Sequence, residues 1–317
     1  MNTPKNPLHK PCIIIFGPTA VGKSALAEQL GTVVPIEIIN MDMGQLYTPL
    51  TIGTAKPVWQ KSPIPHHMFD VIDEPRNYTV MEYNARVIPL IQEIQERGSI
   101  PVLVGGSAFY LKSLLFPVIE QEVVAVPAHG SHTGTWDELN AIDPERASHI
   151  HPHDTYRINR ALHIWYTTGN KPSTLVPCFN PPADFMLIMV TRDRTQLYDR
   201  INTRVEQMVD EGWLAECVHL LGTPWESFIE SKGIIGYREM MAVAAKRSTM
   251  EKAISLIAQQ TRNYAKRQHT FWRMLHKKIT GSTSDKRFVF EEANLTLLDL
   301  DLYISQLSDR IHSFYIK

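Results

Sequence analysis

The sequence lacks long hydrophobic runs. Its longest apolar stretches, such as Cys12–Phe16 and Ile100–Val104, are of strand length, whereas a membrane-spanning helix needs about 20 apolar residues. The first ten residues are mostly polar and do not contain the apolar segment of a secretory signal. We therefore expect no membrane segment and a cytoplasmic protein.

Cysteine is also scarce. Cys12, Cys178 and Cys217 are scattered without paired spacing, so the sequence predicts neither a disulfide framework nor a cysteine zinc site. A net charge of −1 excludes a uniformly basic nucleic-acid-binding protein. The charge is uneven, however, because residues 262–278 include six basic side chains and no acidic one. This segment is the expected contact if the protein binds a polyanion.

A strand-like run, Cys12–Phe16, leads into a segment with the spacing G-x-x-x-x-G-K-S and then into helix-favouring residues. This order of strand, loop and helix is typical of a phosphate-binding loop. Glycines let backbone N–H groups turn towards the anion, and the new helix directs its positive end at it. Lys23 adds a mobile charge, and Ser24 can hold Mg²⁺. The candidate phosphate ligands are Gly17, Pro18, Thr19, Ala20, Val21, Gly22, Lys23 and Ser24.

Buried strands separated by helical periodicities predict an α/β fold, a P-loop NTPase-like parallel sheet with flanking helices and a small, mainly helical insertion. The predicted strands are Cys12–Phe16, Ile36–Asn40, Ile100–Val104 and Phe185–Val190.

Changes in pattern divide the chain into five segments. We expect a flexible leader (1–11), a first part of the core (12–116), a shortened helical insertion with its connector (117–180), a core completion with a basic helix (181–278) and a C-terminal extension (279–317). Residues 117–135 lose periodicity, and the extension shows no motif of chemical function.

Asp42 follows the second predicted strand. Because the carboxyl ends of parallel strands face the ligand crevice, Asp42 should lie beside the phosphate loop. A base acting on an acceptor is the favoured interpretation, and a turn cap or a water-mediated contact with Mg²⁺ is the alternative. Gly105 and Gly106 end the third strand and allow close approach of a ligand, which we favour, or of a neighbouring element.

Several short motifs in one order resemble the tRNA dimethylallyltransferases, which act on the adenosine 3′ of the anticodon. The resemblance extends from about Ile13 to Arg273. Its motifs are 17–24, Asp42 with Gln45 and Tyr47, 52–57, 65–67 with Asp70, 97–98, 104–107 with 110–111, 151–152, Asp154, Arg157, 160–162, 197–198 with 200–201 and 204–205, 236–239, and 261–262 with 264–268 and Trp272.

The resemblance implies the chemistry of the site. The loop, with Arg238 and a Mg²⁺ ion at Ser24, would hold the diphosphate of dimethylallyl diphosphate. Asp42 matches the family's proposed general base, and Thr19 would assist. Asp42 would take a proton from N6 of adenosine 37 as this nitrogen attacks the allylic carbon, giving N6-isopentenyladenosine and diphosphate. The adenine must leave the anticodon-loop stack, and Gln45 could bind its edge.

The resemblance also implies contacts with the anticodon stem-loop of tRNA. We expect the protein to be a monomer. Three of the contact residues lie on one face of a long helix predicted at about 251–274, where they would position the RNA backbone. The whole set is Asp42, Met43, Gly44, Gln45, Ser107, Tyr156, Arg157, Ile158, Asn159, Arg160, Gly233, Arg238, Arg262, Lys266 and Arg273.

The sequence departs from the family pattern at several positions. Met43 stands where Ser is usual, Ser107 replaces Thr, and Gly233 replaces Arg or Gln, with Lys232 adjacent. Residues 117–142 are shorter than the helical insertion that grips the anticodon stem. The C-terminal zinc-finger cysteines of eukaryotic members are missing, which favours the bacterial type.

Two other functions remain open. A small-molecule or nucleoside kinase also uses a carboxylate at a strand end beside a phosphate loop, although it has no need of the motifs after Ser107. A weakened RNA-binding relative is suggested by Met43, Gly233 and the short insertion, although Thr19, Lys23, Ser24 and Asp42 are all present.

Overall fold

The computed structural model describes residues 8–117, 134–175, 177–282 and 288–315. Within them the strands are β1 (Leu8–Phe16), β2 (Ile36–Asn40), β3 (His66–His67), β4 (Ile100–Gly105), β5 (Ala183–Thr191) and β6 (Phe288–Asn294). The α-helices of the same residues are α1 (Lys23–Leu30), α2 (Val80–Glu96), α3 (Ala108–Leu115), α4 (Trp136–Ile142), α5 (Pro144–Ser148), α6 (Thr155–Thr168), α7 (Arg194–Asp210), α8 (Trp213–Leu220), α9 (Pro224–Lys232), α10 (Tyr237–Ala244), α11 (Met250–Ser282) and α12 (Leu300–Tyr315).

The strands that the structure describes form one parallel sheet in the order β3-β2-β4-β1-β5-β6. In the centre, Ile13 of β1 lies between Val102 of β4 and Met186 of β5. The central strands are buried along their lengths, as is usual for a parallel sheet covered on both faces. The predicted parallel α/β sheet is confirmed.

The sheet brings three loops to one edge. The chain leaves β1 and returns as β2 on the far side of β4, so the strand order changes direction beside β1. At such a switch point the loops after adjacent strands diverge and leave a crevice at their carboxyl ends. The phosphate loop follows β1, Asp42 follows β2, and Gly105 ends β4. These three segments therefore all lie at the carboxyl ends of the strands of the sheet.

The C-terminal segment differs from the expectation of a simple extension. β6 pairs in parallel with β5, with Phe288 opposite Phe185. Helix α12 buries Leu307 and Ile311 in the core cluster that also includes Leu30 of α1. The pattern of β6, Phe-Val-Phe-Glu-Glu-Ala-Asn, is not a continuous apolar run because an edge strand stays half-exposed. For the two-residue strand β3 there is no pattern to detect.

Contacts divide the chain into two compact units, the second comprising Ser113–Asn180. In the second unit, α4, α5 and α6 pack around Leu139, Ile150 and Leu162. The buried carboxylate of Asp143 accepts the N–H groups of Arg146 in α5 and of Ser173 after α6, and so connects these two segments of the unit. Of the aperiodic stretch 117–135, residues 118–133 lie outside the described residues, as do residues 1–7 of the expected leader.

The long helix is longer than predicted, since α11 extends to Ser282. Its inward face carries Ala258, Ala265 and Gln268, as the helical spacing indicated. Across the described ranges, no helix combines the length and the apolar character that crossing a membrane requires.

Candidate active site

The phosphate loop connects β1 to α1 and has a backbone that only particular residues can form. Gly22, the N-cap of α1, has a φ of 115°, which strains any residue with a side chain. Gly17 is required for a different reason, because a Cβ there would lie 2.5 Å from the carbonyl oxygen of Val190. The N-terminus of α1, with Lys23 and Ser24 in its first turn, follows directly.

Side chains from distant elements hold this loop. Gln268 of α11 accepts the backbone N–H of Thr19 through Oε1 at 2.9 Å and donates Nε2 to the carbonyl of Gly106 at 2.8 Å. Arg192 donates Nε to the carbonyl of Val21 at 2.8 Å. Arg200 of α7 donates Nε to the carbonyl of Ala20 at 2.9 Å. The carbonyl groups of Ala20 and Val21 in the loop thus each accept a hydrogen bond from an arginine.

Lys23 supplies the positive side chain of the loop. Its Nζ donates to the carbonyl of Pro18 at 2.8 Å. Burial lowers the pKa of Lys23 to about 8; the charge of Asp42 opposes this change and that of Arg204 adds to it. The ammonium therefore lies close enough to both side chains for their charges to act on it.

Asp42 is partly held and partly free. Its Oδ1 accepts the N–H of Gly44 at 3.1 Å, and its own N–H donates to Oδ1 of the buried Asn40 at 2.9 Å. Oδ2 makes no hydrogen bond within the part of the chain described here. Burial raises the pKa of Asp42, while Lys23, the Gly44 N–H and Arg204 oppose the rise. One oxygen fixes the turn, as the alternative interpretation proposed, and the other remains available for chemistry.

The turn after Asp42 carries the other residues expected near adenine. The N–H of Met43 donates to Oγ of Ser107 at 3.3 Å. Gln45 donates Nε2 to the carbonyls of Thr54 and Ala55, at 3.1 and 3.3 Å.

A small cavity, lined in part by Ser24, Gln45, His66 and Phe69, has a volume of about 20 Å³, which is room for about one water molecule.

Packing explains the glycine pair at the end of β4, Gly105 and Gly106. A Cβ on Gly105 would lie 2.1 Å from the carbonyl oxygen of Met41, and one on Gly106 would lie 2.9 Å from that of Gly17. A side chain at either position would collide with neighbouring backbone, so both positions require glycine. This supports the alternative of close approach by a neighbouring element for this pair.

Comparison with known proteins identifies the family. The model of the family "IPP transferase" matches residues 45–275. The chain belongs to the IPP transferase family. The tRNA dimethylallyltransferase of Bacillus licheniformis is 37% identical over 281 residues, covering 84% of this chain and 89% of the relative. That of Thermotoga neapolitana is 35% identical over 279 residues, covering 84% and 90%.

Solved structures of the family share this fold. The full-length tRNA isopentenylpyrophosphate transferase of Bacillus halodurans is 28% identical, with a TM-score of 0.64 and coverage of 97% of both chains. A eukaryotic dimethylallyltransferase acting on tRNA has a TM-score of 0.75 and 28% identity, covering 95% of this chain and 77% of its own. The resemblance and the P-loop NTPase-like fold predicted from the sequence are confirmed, and the comparisons do not support the kinase alternative.

In this IPP transferase, the predicted tRNA-binding residues of α6 belong to the second unit. Tyr156 and Arg157 are exposed, and Arg157 pairs with Asp154 one turn earlier. The side chain of Ile158 is buried in the core of the unit. Asn159 accepts the N–H of Gly134 through Oδ1 at 2.9 Å, and Arg160 is exposed. Of the residues predicted to bind tRNA on this helix, the exposed ones are thus one aromatic and two basic side chains.

The remaining predicted residues lie on α9, α10 and α11. Lys266 and Arg273 are exposed on α11, whereas Arg262 donates to Oδ1 of Asn202 at 2.6 Å. Arg238 is exposed in the first turn of α10. Gly233 ends α9 with a φ of 61°, so a local reason exists for glycine at this position.

Four side chains at the site were not among the predicted site residues: Arg192, Arg200, Arg204 and Gln268. Gln268 gives a signal in the sequence, because it is a polar residue at an inward position of an amphipathic helix, where an uncharged polar group needs partners. The arginines gave only an ambiguous signal, since Arg200 and Arg204 fall on the polar side of α7, where solvated charges are usual.

Proposed function

We propose that this protein transfers the dimethylallyl group of dimethylallyl diphosphate to N6 of adenosine 37 of tRNA, giving N6-isopentenyladenosine and diphosphate. The observation that carries this proposal is the free oxygen of Asp42, which is electrostatically coupled to Lys23 of a phosphate loop. The relatives, which are named tRNA dimethylallyltransferases, supply the classes of donor and acceptor.

The phosphate loop suits a diphosphate leaving group. As the allylic C–O bond breaks, its electrons pass to a diphosphate oxygen, where the N-terminus of α1 and the Lys23 ammonium stabilise the charge. Ser24 is exposed, and its hydroxyl makes no hydrogen bond within the described residues. This hydroxyl, with diphosphate oxygens and water, is a donor set that suits Mg²⁺, which would add positive charge at the leaving group when bound.

Asp42 suits the acceptor side. The exocyclic amine of adenine is a weak nucleophile because its lone pair is delocalised into the ring. As N6 forms its bond to the allylic carbon, the proton that it loses passes to the free oxygen of Asp42. Burial raises the pKa of this carboxyl group, which makes the carboxylate more basic, and the charges of Lys23 and Arg204 oppose that rise. Gln45, in the same turn, would bind the adenine edge through its side-chain oxygen.

Exposed basic side chains suit the RNA. Lys266 and Arg273 of α11 would bind phosphates of the anticodon stem-loop, and Arg157 and Arg160 of α6 would do the same from the second unit. Tyr156, which is 75% exposed, offers an aromatic face for an unstacked base. We propose that the protein acts on tRNA as a cytoplasmic monomer.

The decisive experiment measures the product. Purified protein is incubated with Mg²⁺, dimethylallyl diphosphate and unmodified tRNA with adenosine at position 37, and the digested nucleosides are analysed by mass spectrometry. We expect adenosine to gain the mass of one isopentenyl group. The same tRNA with guanosine at position 37 should give no product.

Two variants test the proposed base. Asp42→Asn preserves the shape and the acceptor for Gly44 but cannot accept the proton, and Asp42→Ala removes both. Turnover should fall by about 100-fold or more in each, with little change in tRNA affinity. Tight tRNA binding by the unchanged protein without any product would instead favour the weakened RNA-binding relative.

A further inference from the structure

The loop formed by residues 51–56, which follows the turn of Asp42, lies against the acceptor side of the site. Its Thr54 and Ala55 carbonyls accept both hydrogen bonds of the Gln45 amide. The Ala55 carbonyl also accepts Nη2 of Arg204 at 3.2 Å. The loop therefore fixes two side chains that the acceptor chemistry would use.

The same loop packs on the turn of Asp42 itself. A Cβ on Gly44 would lie 2.8 Å from Cγ2 of Thr54, so the Thr54 methyl group lies directly over this glycine. The N–H of Gly44 in turn donates to Oδ1 of Asp42. A displacement of the loop would therefore reach the carboxylate through one packing contact and one hydrogen bond.

The other end of the loop is held by one carboxylate of α8. Oε2 of Glu216 accepts the N–H groups of Thr51 and Ile52 at 3.0 and 2.6 Å. Oε1 accepts the N–H of Gly53 at 3.2 Å and the hydroxyl of Tyr237 at 2.6 Å. Three successive backbone amides thus converge on one side chain, an arrangement that holds an anion firmly.

The close approach depends on Gly53. A Cβ at this position would lie 2.2 Å from Nε1 of Trp213 and 2.5 Å from the ring of Tyr237. Both aromatic side chains are fully buried. The loop therefore packs closely on buried side chains of α8 and α10, where Glu216 accepts its backbone amides.

We propose that Glu216 is a positioning residue for the acceptor adenosine, acting through the loop 51–56 on Gln45, Arg204 and the turn of Asp42. This inference rests on the proposed function. The diphosphate side is held separately, because Gln268, Arg192 and Arg200 bond the phosphate loop directly. Loss of Glu216 should therefore affect the tRNA substrate and spare dimethylallyl diphosphate.

The test compares two glutamates that both accept backbone N–H groups. Glu216→Gln replaces one acceptor oxygen with an NH₂ group that faces the loop amides. Glu226→Gln is the matched control, because Glu226 accepts the N–H of Gly222 at 2.8 Å in another turn of the protein. Tyr237→Phe, which removes one of the four hydrogen bonds, is a milder second variant should Glu216→Gln fold poorly.

We expect Glu216→Gln to lower kcat/KM for tRNA about ten-fold or more, with the KM for dimethylallyl diphosphate changed less than two-fold. Tyr237→Phe should lower kcat/KM for tRNA by a smaller factor, and Glu226→Gln should resemble the unchanged protein. Hydrogen exchange of the backbone amides of residues 51–53 should accelerate in Glu216→Gln.

Three results would overturn the inference: an unchanged kcat/KM for tRNA despite faster amide exchange, an equal loss for both substrates, or the same loss in Glu226→Gln. Failure of the proposed function is a separate result, seen as an absence of product with the unchanged protein. In that case the affinity for tRNA replaces kinetics as the readout, and an affinity that Glu216→Gln leaves unaltered would refute the positioning role.

Discussion

Gln268 and Thr19 are separated by 249 residues, yet Oε1 of Gln268 accepts the backbone N–H of Thr19 at 2.9 Å. The same amide donates Nε2 to Gly106, so one side chain bonds the loops after β1 and β4. Because both of its polar groups are used and it is buried, its loss would leave backbone groups without partners. The shape of the phosphate loop therefore depends on a helix near the C-terminal end of the chain.

Gln268→Leu should weaken the binding of dimethylallyl diphosphate. The side chain keeps a similar size but cannot accept the N–H of Thr19, so the loop loses its fixed shape. We expect the KM for dimethylallyl diphosphate to rise roughly ten-fold, with little change in the KM for tRNA. Gln259→Leu, on an exposed position of the same helix, is the control. Equal effects of the two substitutions would contradict a specific role for Gln268.

Diphosphate affinity should fall as the pH rises above about 8. Burial lowers the pKa of Lys23 to this value, so above it the free protein must take up a proton when it binds the anion. Titration calorimetry with inorganic diphosphate from pH 7 to pH 9.5 measures the slope. Lys23→Arg stays charged throughout, so it reports the titration of the ligand alone. Identical slopes for the two proteins would show that Lys23 does not titrate in this range.

Replacing Arg204 should shift the acid limb of the pH profile. Its positive charge favours the ionised form of Asp42, so Arg204→Gln should raise the pKa of Asp42 further. If Asp42 is the base, the rise in kcat/KM with pH should then occur at a higher pH. Arg204→Lys retains the charge and should shift the limb less. A limb that moves to lower pH in Arg204→Gln would argue against this assignment.

Helix α12 should contribute to global stability although it lies outside every sequence motif. Leu307 is fully buried in the main core cluster, whereas Leu302 on the same helix is 58% exposed. Leu307→Ala should lower the free energy of unfolding by about 2–5 kcal/mol. Leu302→Ala should change it by less than about 0.5 kcal/mol. Urea unfolding measures both, and equal values would show that α12 is not part of the cooperative core.

Much of the architecture could be predicted because its signals are local. Continuous apolar runs such as Ile100–Val104 mark buried strands, and Thr79 with Glu82 forms the capping box that begins α2. β6 could not be predicted in this way, because an edge strand is half-solvated and mixes apolar with charged residues. The packing role of Gly105 was equally hidden, since it depends on the backbone of Met41, which directly follows β2.

The sequence by itself determined the phosphate loop, the carboxylate after β2 and the family, because each is carried by residues close together in the chain or in a fixed order of motifs. Only the tertiary structure decided what holds these parts: Gln268 on the phosphate loop, Glu216 on the loop 51–56, and β6 at the edge of the sheet. The physical reason is that a hydrogen bond between distant segments depends on where the fold brings two groups together. The local periodicity of a sequence does not indicate which distant groups come into contact.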